Sequence, residues 1–167
     1  DRVGVLLTKR EELVVTLVAL VRLGAVYIPL FTAFATPAVE MRMKASDAKL
    51  VVTEDSQLFK VEPLGLPVFM AGEEYQRALE TAEPVTENYL AAPDHPFLQL
   101  YTSGTTGAPK GVPVPVRALA AFKTYMRISL DVRDDDVFWN AADPGWAYGL
   151  YYGVVGPLAI GVPNILY

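Results

Sequence analysis

From Tyr101 to Gly111 the chain reads YTSGTTGAPKG, a tract of hydroxyl side chains, glycines and one lysine that directly follows an apolar run. Gly104 and Gly107 lack the Cβ that would hold a backbone away from a ligand. They also accept φ > 0, so successive N–H groups can converge on one anion. Thr102, Ser103, Thr105 and Thr106 add hydroxyl donors. Lys110 adds a charge that at about 4 Å is worth roughly 4 kcal/mol at an effective dielectric of about 20. This is chemistry for holding phosphate. The order is not that of the Walker loop, G-x-x-x-x-G-K-[ST], because Pro109 stands where the second glycine belongs and Gly111 follows the lysine. Taken alone, a Ser/Thr/Gly cluster is also compatible with a solvated connection. The ordered run ending in Pro-Lys-Gly favours the phosphate reading. Two glycines and small polar side chains also predict a loop that is mobile without ligand.

A second group of residues stands apart in the chain. Ala142-Asp143-Pro144-Gly145-Trp146 has proline and glycine where a type II turn takes its two central residues, and Ala147 and Tyr148 follow it. Asp134, Asp135 and Asp136 raise the question of a metal, but contiguous carboxylates with nothing to turn them inward read as a solvated corner. His95, between Asp94 and Pro96, reads as solvated rather than as a catalytic base. With one histidine and no cysteine, the sequence offers no thiolate nucleophile, disulfide framework or Cys-type zinc site. No metal ligand is assigned.

The elements that must position these groups alternate. Val3 to Leu7 reads as a buried strand. Thr8 with Glu11 reads as a capping box that opens a helix, which Gly24 ends in a left-handed cap. Further strands are expected over 25–30, 49–53, 66–70, 97–101 and 137–141, and a closing one over 161–167. Thr36-Pro37, as N-cap and N1, opens a helix to about Ser46. Weaker helices are expected over 56–60 and 73–80. Leu119, Phe122, Met126 and Leu130 mark another helix. Pro113 and Pro115 limit Gly111 to Val116 to an edge strand at best. Strand, helix, strand repeated in this way predicts a three-layer α/β fold, its mainly parallel sheet flanked by helices. We read residues 1–80 as a first α/β sub-domain, 81–96 as a connection, and 97–167 as the phosphate-loop segment.

A chain of 167 residues with 52% hydrophobic residues can bury a core, and its net charge of −5 opposes a nucleic-acid or anionic-membrane surface. Absence of cysteine agrees with a cytoplasmic location. Pro144 to Tyr167 carries no charge and has the length of a membrane span. Its glycines with Pro157 and Pro163 divide it instead into a buried helix of about 10 to 13 residues and a strand. The chain starts at Asp1 directly before an apolar run and stops on an apolar one, so both ends read as the interior of a larger protein.

The tract from Tyr101 to Gly111 resembles the phosphate-loop signature of the adenylate-forming superfamily, the AMP-dependent synthetases and ligases. Ala142 to Gly149 resembles the segment that acetyl-CoA synthetases and related acyl-CoA synthetases carry after the following strand. The match departs at Pro113-Val114-Pro115-Val116, where that family commonly shows a histidine and threonine. The resemblance implies part of a larger N-terminal domain of an acyl-CoA synthetase of fatty acid metabolism. Such an enzyme joins a carboxylic acid to ATP, giving acyl-adenylate and pyrophosphate, and passes the acyl group to coenzyme A. It implies phosphate binding by Thr102, Ser103, Gly104, Thr105, Thr106, Gly107 and Lys110, with Lys110 catalytic. It also implies an acyl pocket at Trp146, Ala147 and Tyr148, and a magnesium ion. Two other readings remain open: a non-catalytic nucleotide-binding module, and an interaction domain with a vestigial loop.

Overall fold

The computed structural model describes residues 1–102 and 109–167. Among these, six strands form one sheet in the order β4-β3-β1-β2-β5-β6. The first five are β1 (Arg2–Leu6), β2 (Val26–Pro29), β3 (Leu50–Thr53), β4 (Val68–Met70) and β5 (Pro96–Thr102). They are parallel wherever they pair, and β6 (Lys110–Pro115) closes the edge antiparallel to β5. The two prolines of β6 sit on this edge strand, where a missing N–H costs no ladder bond on the open side.

Alternation along each strand feeds two cores. Val3 and Val5 of β1, Val52 of β3 and Leu98 of β5 meet α1 (Glu11–Arg22) and α5 (Ala118–Thr124), together with Leu150 and Val154, and Tyr75 of α4 (Glu73–Thr81) packs its ring 5.4 Å from that of Phe69. Leu6, Ile28 and Val51 point the other way, onto α2 (Thr36–Ser46) and α3 (Leu58–Val61). Helices thus cover both faces, and every central strand reads as a nearly continuous apolar run for that reason. Each fully buried Leu or Ile contributes roughly 1.5–3 kcal/mol.

Several local expectations are corrected. The strand expected over 137–141 is β7 (Phe138–Trp139), and it leaves the main sheet to pair in parallel with β8 (Asn164–Ile165). A separate small core of Met126, Val132 and Val162 lies against this pair. Thr8 does not cap α1. Its N–H and hydroxyl both donate to Glu54, at 3.2 and 2.8 Å, and the N-cap is an extended Arg10 without a side-chain cap. Likewise Ala35, not Thr36, is the N-cap of α2, which places Pro37 one position further in than expected.

His95 is half-buried and held by protein partners. Its Nε2–H donates to the Gly24 carbonyl at 2.9 Å, and its ring lies 5.0 Å from that of Tyr89. Gly24 has φ +68°, and a Cβ there would stand 2.4 Å from the Tyr89 ring, so the end of α1 and the 85–95 segment fit only around glycine. This contact lies at the amino end of β5, seven residues from Thr102. At about 3.3 Å per residue it is roughly 20 Å from Thr102.

The helix marked by Leu119 to Leu130 changes register midway: α5 gives way to a π-helical turn, Tyr125–Ser129. The helix after Trp146 does the same, running α6 (Ala147–Leu150), a π turn (Tyr151–Val155) and α7 (Gly156–Ile160). Among the described residues no helix is long and apolar enough to cross a membrane.

Candidate functional site

β5 and β6 pair antiparallel, and the hydroxyl-rich tract lies between them in the sequence. Thr102, the last residue of β5, pairs directly with Lys110, the first of β6. Directly opposed residues of an antiparallel pair stand on one face with Cβ atoms about 4.5–5.5 Å apart, so the Thr102 hydroxyl and the exposed Lys110 side chain leave the sheet together. Ser103, Gly104, Thr105, Thr106 and Gly107 lie outside the described residues, and so does the expected mobility of that loop. Gly111 admits the Gln99 amide, which a Cβ would meet at 2.7 Å, and this amide donates to the Tyr101 hydroxyl at 2.9 Å.

The second motif comes to the same end of the sheet. β2 lies beside β5, so the β2–α2 connection, with Phe31 and Phe34, leaves next to the β5–β6 pair. Residues 143–146 turn over it, with the Trp146 N–H donating to the Asp143 carbonyl at 3.1 Å and the Gly145 N–H to Asp143 Oδ1 at 2.7 Å. The turn is not type II, because Gly145 has no positive φ. Glycine is required there for space: a Cβ would stand 2.4 Å from Phe31 Cα. Phe31, Phe34 and Trp146 then pack as a triad with ring centroids 5.4 to 5.8 Å apart. α6 starts at once, and it can sit against the turn only because Gly149 has no Cβ to meet the Asp143 carbonyl, which would be 2.1 Å away.

Between the β5–β6 pair, the turn and α2 lies a cleft of about 450 Å³. Thr102 and Pro109 bound it on one side, Trp146 and Ala147 on the other, and Arg42 of α2 faces into it. The ends of both motifs thus meet at the carboxyl end of the sheet, where open α/β sheets bind ligands. Tyr148 is placed elsewhere. It is not among the residues lining the cleft, and its ring packs 5.0 Å from that of Tyr152. Burial and a hydrogen bond with Tyr125 push its phenol above the usual range. Tyr151 does line the cleft, and burial, followed by the neighbouring Tyr152, pushes its phenol up to about 12, so it is neutral at physiological pH.

Arg42 and Phe34 are site residues that the sequence did not single out. Arg42 Nη1 donates to the Ala38 carbonyl at 2.7 Å, and its guanidinium carbon lies 4.0 Å from the Phe34 ring centroid. Burial lowers its pKa, though a guanidinium stays charged. In the sequence it lies between Met41 and Met43, with Glu40 and Lys44 two positions to either side, and nothing there separates it from a solvated side chain.

Glu54 ties together the carboxyl ends of β1 and β3. Besides Thr8 it accepts from Ser56 Oγ at 2.6 Å and from Arg10, and Arg10 also grips Glu12 through Nε and Nη2 at 2.7 and 2.6 Å. Burial alone would raise the Glu54 carboxyl, but the hydrogen bonds from Ser56, Thr8 and Arg10 outweigh it and hold the group below the usual range. The aspartate corner is occupied by protein partners: Asp134 pairs with Arg127, and Asp136 accepts the Arg133 N–H at 2.8 Å. Among the described residues no group of three or more His, Cys, Asp or Glu is assembled to hold a metal.

A mostly parallel sheet with helices on both faces and its cleft at the carboxyl ends of the strands matches the N-terminal domain of adenylate-forming enzymes. The chain belongs to the AMP-binding enzyme family, whose model matches residues 1–167. It is 32% identical to the acetyl-coenzyme A synthetase of Bacillus subtilis (strain 168) over 99% of its length. It is 33% identical to that of Mycobacterium tuberculosis (strain ATCC 25618 / H37Rv) over 100%. It spans 31% of each of these relatives. Among solved structures it superposes on a Brucella canis acyl-CoA synthetase with TM-score 0.91 at 46% identity, covering 99% of this chain and 32% of that one. The o-succinylbenzoate CoA synthetase of Bacillus subtilis, in complex with its acyl-adenylate intermediate, superposes with TM-score 0.85 at 23% identity, covering 100% and 43%; at that identity it speaks for the fold alone.

Proposed function

We propose that this chain is the phosphate-loop portion of an acyl-CoA synthetase. A carboxylate oxygen attacks the α-phosphorus of ATP, the bond from that phosphorus to the bridging oxygen breaks, and pyrophosphate leaves. The sulfur of coenzyme A then attacks the acyl carbon, loses its proton and displaces AMP. The observation that carries this reading is the shared cleft, in which Thr102 and Pro109, flanking the hydroxyl-rich tract, face Trp146 and Ala147. The names of the relatives, acetyl-coenzyme A synthetases and an acyl-CoA synthetase, support it.

In this reading the tract holds the β- and γ-phosphates while the acid lies against Ala147, so rate comes from alignment and from charge placed where pyrophosphate develops. Lys110 supplies that charge and is the catalytic residue. Magnesium, when bound, would offset phosphate charge, but the described residues offer no ligand set for it and no step here depends on it. The 167 residues by themselves do not adenylate, because alignment needs contacts to the adenosine and the α-phosphate that they do not supply. The test is ATP–pyrophosphate exchange by the full-length protein against a panel of acids. Exchange that depends on the acid is expected. ATP binding without acid-dependent exchange would leave a nucleotide-binding module.

A further inference from the structure

Among the described residues lining the cleft, Arg42 alone carries a charge. It is half-buried, and among the described residues no carboxylate lies within ion-pair distance of it. The six residues outside that set include no acidic side chain. Its guanidinium is nevertheless fixed, by the Ala38 carbonyl on one nitrogen and by the Phe34 ring against its face. Phe34 is in turn held by Phe31 and Trp146. Arginine has five N–H donors, and only one has a protein acceptor among the described residues. A cation held rigid, partly desolvated and short of acceptors is costly unless an anion completes it. The planar fork suits a carboxylate, which it can bind through two parallel bonds.

The rest of the lining specifies what that anion is attached to. Leu100, Ala147 and Trp146 are apolar, and Thr102 marks the side on which the phosphates would lie. A ligand spanning from Thr102 to Arg42 therefore has a reacting group at one end, an apolar spacer, and a second negative group at the other. We propose that Arg42 is a specificity-determining residue and that the acid activated in this cleft is a dicarboxylic acid, whose second carboxylate pairs with Arg42. This rests on the acyl-CoA synthetase reading of the cleft.

The test uses the full-length protein and measures kcat/KM in ATP–pyrophosphate exchange. Straight-chain monocarboxylic acids are compared with α,ω-dicarboxylic acids of the same length, from four to eight carbons. The wild type is expected to favour the diacid about 10-fold or more at one length at least. Arg42→Met should lower the diacid-to-monoacid ratio at that length by about 100-fold, as expected when one partner of a desolvated charge pair is lost. Arg42→Lys should restore part of the ratio, because it returns the charge without the fork. Circular dichroism confirms that each variant is folded, and if Arg42→Met is not, Arg42→Lys and Arg42→Gln decide. A wild type that prefers the monoacid at every length overturns the proposal. So does an unchanged ratio in the variants, which makes Arg42 structural, or a rise confined to the KM for ATP, which gives it to the phosphates. No exchange with any acid would instead bring down the ligase reading itself, and this proposal with it.

Discussion

Lys110 and Thr102 show how much one register assignment can fix. Because they oppose each other across the β5–β6 pair, the cation leaves the sheet on the same face as the last hydroxyl of β5. Pyrophosphate gains charge as its bond to the α-phosphorus breaks, so a cation placed there acts more on the transition state than on bound ATP. Lys110→Ala in the full-length protein should therefore slow single-turnover adenylation by roughly 10²-fold, with a much smaller change in the Kd for ATP. Equal losses in both would mean that Lys110 only binds. The sequence drew attention to Thr102, Lys110 and Ala147 through unusual runs of residue types, and the structure sets Thr102 and Ala147 on one cleft and Lys110 opposite Thr102. Arg42 was not legible, since a cation on a helix looks the same in sequence whether it faces water or a cleft. Tyr148 could not be separated from Ala147 either, because which neighbour faces inward depends on how the helix is rotated.

Among elements, the connection after β1 departs most from the sequence pattern. Thr8 and Glu11 have capping-box spacing, yet the Thr8 hydroxyl serves Glu54, 46 residues away, and Glu11 stays exposed. A buried carboxylate needs donors more than a helix end open to water does, so the tertiary contact wins. Glu54→Gln should cost about 1–3 kcal/mol in urea unfolding. The folded carboxyl lies below its ordinary value, so its stabilisation is fully present above the usual glutamate range and is lost as pH falls through the lowered value. Wild-type stability should fall from about pH 5 downward, and the Gln variant should follow a shallower course. The helix after Trp146 offers a second contrast. A Cβ on Gly149 would stand 2.1 Å from a backbone carbonyl, whereas one on Gly153 would meet Asn140 Cβ at 3.3 Å. Gly149→Ala should destabilise by roughly 1–3 kcal/mol and Gly153→Ala by less, read from the same unfolding curves. The G-x-x-x-G spacing was visible in the sequence. Its partners, a turn and the exit of β7, were not, and neither were the π turns, which shift register without altering composition.

Across the molecule, the parallel sheet was legible because apolar runs and turns recur in a strand–helix rhythm that few folds satisfy. What the rhythm cannot give is order: β2 lies beside β5, 71 residues away at the paired positions Tyr27 and Leu98, and β7 leaves the sheet altogether. Those two facts make the cleft. The first brings the β2–α2 connection next to the β5–β6 pair, and the second lets the 143–146 turn fold back over Phe31. In the proposed function one end of the cleft takes the phosphates and the other the acid, so filling the Ala147 end should be felt by the acid and not by ATP. Ala147→Leu tests this in the full-length enzyme. Each methylene lost to a hydrophobic pocket is worth roughly 1–3 kcal/mol, or about 10- to 200-fold. The expected outcome is a kcat/KM that falls progressively from short acids to long ones while the KM for ATP holds. A loss independent of acid length would show that Ala147 does not face the acyl chain. A parallel rise in the KM for ATP would show that the two ends of the cleft are not separable.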